Sequence, residues 1–136
     1  MKKSKKSKKS NTWKIKQHRD QFFKKSRTLG YRSRAAFKLI ELNDKFKFIK
    51  SNSNLLDVGA YPGSWSQVSS KIITSGKILS LDLKNMDEIK NVSFLQCNFL
   101  EKGAKEKILK FFSEKLDVVL SDMAANTTGN KSLDCI

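Results

Sequence analysis

Along this chain, short runs of consecutive apolar residues alternate with stretches in which apolar residues recur every three or four positions. The first pattern reads as buried strand and the second as amphipathic helix. The clearest strand is Asn54–Ala60, a Leu- and Val-rich run interrupted by Asp57. Gly59, Pro62 and Gly63 then mark a sharp turn, and Pro62 is the sole proline. From Ser64 to Ile73 the spacing predicts a helix, with Trp65, Val68 and Ile72 on one side. Further strands are predicted at Lys77–Leu83 after the Gly76 turn, at Ser93–Phe99 and at Leu116–Asp122, the last a continuous apolar run of the kind found in parallel sheets. Lys102–Phe112 reads as helix, with Ile108, Leu109 and Phe112 apolar. Strands alternating with helices predict an α/β parallel sheet of about four strands, covered on both faces. Asp57, Asp82, Asn98 and Asp122 all fall at carboxyl ends of these strands, where such sheets bind ligands. The fourth strand has no successor in the pattern, so the sheet is expected to be incomplete, with an exposed edge.

Ahead of the sheet the rhythm is helical and basic. Thr12–Leu29 reads as an arm in which Trp13, Ile15, Phe22 and Phe23 are interleaved with Lys and Arg, and Gly30 is a helix stop. Aromatics among cations suit base stacking beside phosphate contact, and they suit anchoring to a domain equally well; anchoring is favoured for Phe22 and Phe23. A second helix is expected over Arg32–Leu42, with Ser33 as its cap and Ala36, Phe37 and Ile40 toward the core. Lys38 lies near that apolar face, where it needs a partner or must snorkel to solvent. Met1–Ser10 is a Lys/Ser repeat without an apolar residue and is expected to be disordered. The chain thus divides into a basic tail (1–11), a basic helical segment facing nucleic acid (12–50) and a ligand-binding domain (51–136).

Charge sharpens this division. The net charge is +15, and residues 1–50 carry all of it, with 18 Lys and Arg against 3 acids, whereas residues 51–136 carry 10 of each. A neutral domain with a basic front end points to a polyanionic partner, the alternative being a solubilising tail. Cys97 and Cys135 lack metal-site spacing, and the single histidine, His18, cannot build a His-based site, so no metal is expected. No run approaches the roughly 18 apolar residues of a membrane span and no signal-peptide core is visible, so a cytoplasmic setting is expected.

The glycine turn carries the candidate chemistry. A dinucleotide site wants G-x-G-x-x-G, but here the spacing is Gly59-x-x-x-Gly63, without the middle glycine. A P-loop ends in G-K-[ST], whereas Gly63 is followed by Ser64 and Trp65. Asp57, just before the glycine, repels a diphosphate and suits a cationic ligand. S-adenosylmethionine has a sulfonium, an amino-acid part and a ribose but no phosphate, and it fits. Asp82, 23 residues after Gly59, can hold two ribose hydroxyls, and Asn98 can hydrogen-bond a base edge. An ordinary ligand-free βα turn, a nucleotide-dependent oxidoreductase and a non-catalytic RNA-binding fragment are the other readings.

Three segments taken together, Arg32–Leu39 (RSRAAFKL), Asp57–Gln67 (DVGAYPGSWSQ) and Ser121–Asn126 (SDMAAN), resemble the bacterial FtsJ-type ribosomal RNA ribose 2′-O-methyltransferases. The resemblance runs in order from about Trp13 to the end of the sequence. It implies a Rossmann-like S-adenosylmethionine-dependent methyltransferase fold. It also implies methylation of a uridine ribose in 23S rRNA within the assembled large ribosomal subunit, by a monomer. Gly63, Trp65, Asp82 and Asp122 match cofactor-binding positions, and Asn98 stands where the family usually has aspartate. Of the family's catalytic Lys-Asp-Lys-Glu set, Lys38 and Asp122 match the first two members. The second lysine, expected to act on the ribose hydroxyl, and the glutamate lie in further strands beyond residue 136. The resemblance therefore implies a C-terminally truncated chain of low activity. Tyr61 and Ser64 replace small residues of the family's glycine turn, and Ala125 replaces a proline.

Overall fold

The computed structural model describes residue 21 and residues 24–123. Within them run helix α1 (Ala35–Phe46), strand β1 (Leu55–Val58), helix α2 (Ser64–Ile72), strands β2 (Ile78–Asp82) and β3 (Ser93–Gln96), helix α3 (Ala104–Phe111) and strand β4 (Val118–Ser121). The basic tail, the arm residues Trp13, Ile15, Phe22 and Phe23, and everything after Met123 lie outside the described residues.

The strands form one parallel sheet in the order β3-β2-β1-β4. Because side chains alternate across a strand, the pleat sorts the apolar residues into two layers. Leu55, Ile78, Val118 and Leu120 face one way, onto Ala36 and Leu39 of α1 and Trp65 and Val68 of α2. Leu56, Val58, Leu79 and Leu81 face the other way, onto Ile108 and Phe112 at α3. The expected α/β architecture with helices on both faces is present. Helix α1, although it lies in the basic front segment, packs into the same core as the sheet through Ala36 and Leu39, both at 0% exposure.

The central strands β1 and β2 are buried almost throughout, as a parallel sheet covered on both faces requires. The outer strands depart from the sequence reading. Strand β3 ends at Gln96, three residues short of the expected end, because Asn98 closes a local turn by accepting the Leu100 N–H at 2.9 Å. Strand β4 is not uniformly buried, although its first three residues are all apolar. It alternates, with Val118 and Leu120 inside and Val119 at 60% exposure, since β4 is an edge strand whose second face α3 does not reach. At the opposite end of the sheet the Asn54 side chain ties three segments together. Its Nδ2 donates to the Lys115 carbonyl and its Oδ1 accepts the Lys77 N–H, while its backbone N–H donates to Asp117.

Two helix boundaries also differ from expectation. Helix α1 runs Ala35–Phe46 rather than from Arg32 to Leu42, and its N-cap residue is Arg34. Ser33 still accepts the Ala35 N–H at 3.3 Å, so it supports the first turn from one position earlier. The C-terminal extension is held by Asn43, whose backbone carbonyl accepts the Lys47 N–H and whose Oδ1 accepts the Ile49 N–H. Gly30 has a positive φ of 78° and follows helical residues 24–28, as a helix stop should. Among the described residues no helix is long and apolar enough to cross a membrane.

Candidate functional site

Register decides which strand-end polar residues share a level. Val58 pairs with Leu81 on one side and with Ser121 on the other. Gly59, Asp82 and Asp122 therefore continue one row across the carboxyl edge of the sheet. Asp57 lies one step deeper, opposite Ser80 and Leu120. It is 1% exposed, and its Oδ2 accepts a 2.7 Å hydrogen bond from the Ser66 hydroxyl of α2, which also lies 2.6 Å from the Ser80 hydroxyl. Burial pushes the Asp57 carboxyl up from 3.8 to about 6. The Ser66 bond opposes this, and the Asp122 and Asp82 charges reinforce it. The four strand ends that look alike in the sequence thus differ: Asp57 is a buried polar node under α2, while Asp82 and Asp122 stand at the rim.

Three cavities border this row. One, of about 260 Å³, is lined by Gly59, Asp82, Leu83, Asn98, Phe99 and Met123 among others. A smaller one, about 70 Å³, is bounded by Asp57, Gly59, Tyr61, Trp65 and Asp122. A third, about 360 Å³, opens along α1 between Arg34, Phe37, Lys38, Glu41 and Asp122. Gly59 is common to the first two and Asp122 to the last two, so the cavities follow one another across the rim.

Of the predicted site residues, all but Gly63 line one of these three cavities. The Asp82 carboxylate accepts the Tyr61 N–H and the Lys84 N–H, each at 2.9 Å, which fixes it beside the turn. Asn98 lines the same cavity, and its side-chain oxygen accepts the Leu100 N–H at 2.9 Å. Trp65 is 8% exposed, and its indole N–H donates to the Ala35 carbonyl at 2.7 Å, clamping α2 to α1. Lys38 and Asp122 come together from α1 and the end of β4 in a 3.3 Å ion pair, with side chains 63% and 45% exposed. The Lys38 ammonium also sits 5.9 Å from the Trp65 ring centroid. Lys38 is thus the solvent-facing lysine that its position allowed, with a partner in addition. At Gly59 an added Cβ would collide with the Met123 side chain, which lies across the turn.

Sequence reading missed two contributors. Ser66 is fully buried and completes the Asp57 node. Arg32, counted among the basic surface, sends its guanidinium to the Pro62, Asp87 and Glu88 carbonyls. Only the apolar helix positions flanking Ser66 hinted that it faces inward, and no local signal marks Arg32.

The donor set suits S-adenosylmethionine. Asp82 offers acceptors to ribose hydroxyls, Leu83 and Phe99 offer apolar surface to a base, and Asp57 and Asp122 supply negative charge at the smallest cavity.

Comparison with known proteins adds to this geometry. Ribosomal RNA large subunit methyltransferase E of Pelagibacter ubique is 47% identical over 132 residues, which cover 97% of this chain and 65% of the relative. The protein of that name from Rickettsia akari is 44% identical over 133 residues, covering 93% of this chain and 59% of the relative. The chain therefore spans about three fifths of the length of the curated relatives it matches. A crystal structure of a Plasmodium falciparum protein described as a ribosomal RNA methyltransferase superposes with a TM-score of 0.66 at 41% identity, over 76% of this chain and 62% of that one. Residues 31–136 match the FtsJ-like methyltransferase family, and that match, with the relatives and the shared fold, shows that the chain belongs to it.

Proposed function

We propose that this chain holds S-adenosylmethionine and takes part in methylating a ribose 2′-hydroxyl of a uridine in 23S rRNA of the large ribosomal subunit. The setting is cytoplasmic and the chain acts as a monomer. The observation that carries this reading is the succession of cavities along one rim, with Asp82 at one end and the Lys38–Asp122 pair at the other. The names of the relatives support RNA of the large subunit as substrate.

When bound, S-adenosylmethionine supplies an electrophilic methyl group on its sulfonium. Asp82 would hold the ribose of that cofactor and Asn98 and Phe99 would meet its base, while Gly63 and Trp65 shape the turn beside it. Asp57 and Asp122 give the cationic end a negative environment. Lys38, exposed in the cavity along α1, meets the RNA and orients the target hydroxyl together with Asp122. A ribose hydroxyl is a poor nucleophile until its proton is held or removed, so much of the rate comes from such positioning. Lys38 and Asp122 are the members of the catalytic set that these residues carry, and this chain is proposed to bind both cofactor and RNA through the rim they share.

Two measurements test the proposal. Calorimetry should show S-adenosylmethionine binding that Asp82→Asn weakens, and no binding at millimolar cofactor would overturn the reading. Labelled cofactor incubated with large subunits lacking the modification should transfer label to the rRNA, and Lys38→Ala should lower that transfer. Transfer unchanged by Lys38→Ala would refute the role given to that lysine.

A further inference from the structure

We infer that Arg32 is a positioning residue for the cofactor turn and not one of the cations that meet nucleic acid. The inference rests on the turn being a cofactor site.

By charge alone, Arg32 belongs with the basic front segment and would be assigned to a phosphate. Its side chain is turned inward instead. Nη1 donates to the Pro62 carbonyl at 3.0 Å and to the Asp87 carbonyl at 2.7 Å, and Nη2 donates to the Glu88 carbonyl at 3.0 Å. The Arg32 backbone is fixed too, because its N–H donates to Gln67 Oε1 at 2.8 Å while Gln67 Nε2 donates to the Gly30 carbonyl at 3.2 Å. One guanidinium thus joins the turn before α2, the loop between β2 and β3, and the approach to α1.

Gly63 gives an independent reason for the same arrangement. Its φ is 113°, and a Cβ there would approach Arg32 Nη1, Met86 Sδ and Ile89 Cδ1, each to 2.9 Å. The missing side chain of Gly63 is therefore replaced by the guanidinium and its two neighbours. Helix α2 has no side-chain cap of its own at Gly63, so its entry geometry depends on what holds the turn. Asp82 holds Tyr61 from one side and Arg32 holds Pro62 from the other. Three carbonyl oxygens converging on one point repel one another without a cation, and a planar fork of five donors satisfies them where a lysine ammonium cannot span all three. Without the fork the turn samples other conformations, and cofactor affinity falls by the fraction of molecules left competent.

The test compares the 136-residue chain with Arg32→Ala and Arg32→Lys in three measurements. Amide hydrogen exchange is read at residues 59–63 and 86–89 against strands β1 and β2. The Kd for S-adenosylhomocysteine is taken by calorimetry, and binding to an rRNA fragment is followed across a salt series. Arg32→Ala should raise exchange in both loops while the strands stay protected. It should raise the Kd about tenfold or more, as the loss of charged hydrogen bonds implies, and leave the salt slope unchanged. Arg32→Lys, which keeps the charge and serves if the alanine variant does not fold, should show the same changes to a smaller extent. Unchanged exchange in the two loops overturns the inference. So does a salt slope lowered by about one with an unaltered Kd, which would make Arg32 a phosphate contact. If the unaltered chain binds no cofactor, the functional reading fails, while exchange at the loops still decides the role of Arg32.

Discussion

Replacing Asp57 by asparagine should make the protein more stable at neutral pH and less stable nowhere between pH 4 and 8. Asp57 is 1% exposed, and its carboxyl is pushed up from 3.8 to about 6, chiefly by burial. A carboxyl whose folded value lies above its unfolded one binds more protons in the folded state. Its contribution to stability is then complete below about pH 4 and lost as pH rises through about 6. The interval from 3.8 to about 6, at about 1.36 kcal/mol per pH unit, corresponds to about 3 kcal/mol lost by pH 8. Asparagine has no charge to desolvate and keeps an oxygen for the Ser66 hydroxyl, now 2.7 Å from Asp57 Oδ2. The value of about 6 already includes the Ser66 bond to the charged form, so the gain at pH 8 is about 3 kcal/mol. For a domain of this size that is about 3–5 °C in Tm per kcal/mol. The assay is urea unfolding of both proteins at half-unit steps from pH 4 to pH 8, taking the difference at each pH so that other carboxylates cancel. The difference should start near zero and grow through pH 6. A pH-independent difference, or a variant that loses ground as pH rises, would refute the reasoning. The same substitution removes a negative charge from the cavity shared with Asp122, so cofactor affinity should fall as stability rises.

Leu39→Ala removes a fully buried side chain between α1 and the sheet and should cost about 2–5 kcal/mol in urea unfolding; a loss under 1 kcal/mol would show that α1 is not part of the core. Gly76→Ala would drive a Cβ into the Ser53 carbonyl oxygen, so the variant should melt well below the wild type, and an unchanged Tm would contradict the close approach. Lys38→Ala breaks an ion pair whose side chains are 63% and 45% exposed, so stability should change by less than about 1 kcal/mol; a larger loss would make the pair structural rather than a substrate contact.

Much of the fold was legible along the chain because parallel strands covered on both faces are mostly apolar. The Leu-Leu and Ile-Leu runs of β1 and β2 leave little choice of location. Edges were less legible. Val119 looks like core in a local window, but its exposure depends on how far α3 extends over the sheet. Likewise Leu109 is as apolar as Ile108 and Phe112 yet is 61% exposed while those two are buried, since one helix can lay only one stripe on the sheet. On α1 the periodicity points to Phe37 and Ile40, which are only partly buried, whereas Leu39 between them is at 0% exposure.

By itself the sequence determined the residue types at the rim: a glycine turn after a buried strand, acids at the strand ends, and a lysine on the preceding helix. Local rules of strand, turn and helix place all of these. Only the tertiary structure decided what each group does, because that depends on partners far away in the chain. Register set Asp57 a step below Asp82 and Asp122, where Ser66 and Ser80 enclose it. Packing of α1 against the end of β4 brought Lys38 to Asp122 across 84 positions. The fold of the front segment turned Arg32 inward, onto three carbonyls 30 to 56 residues away. Hydrophobic periodicity acts over a few residues and is written in the sequence. The pairing of a charge with its counterpart is settled only when the sheet has closed.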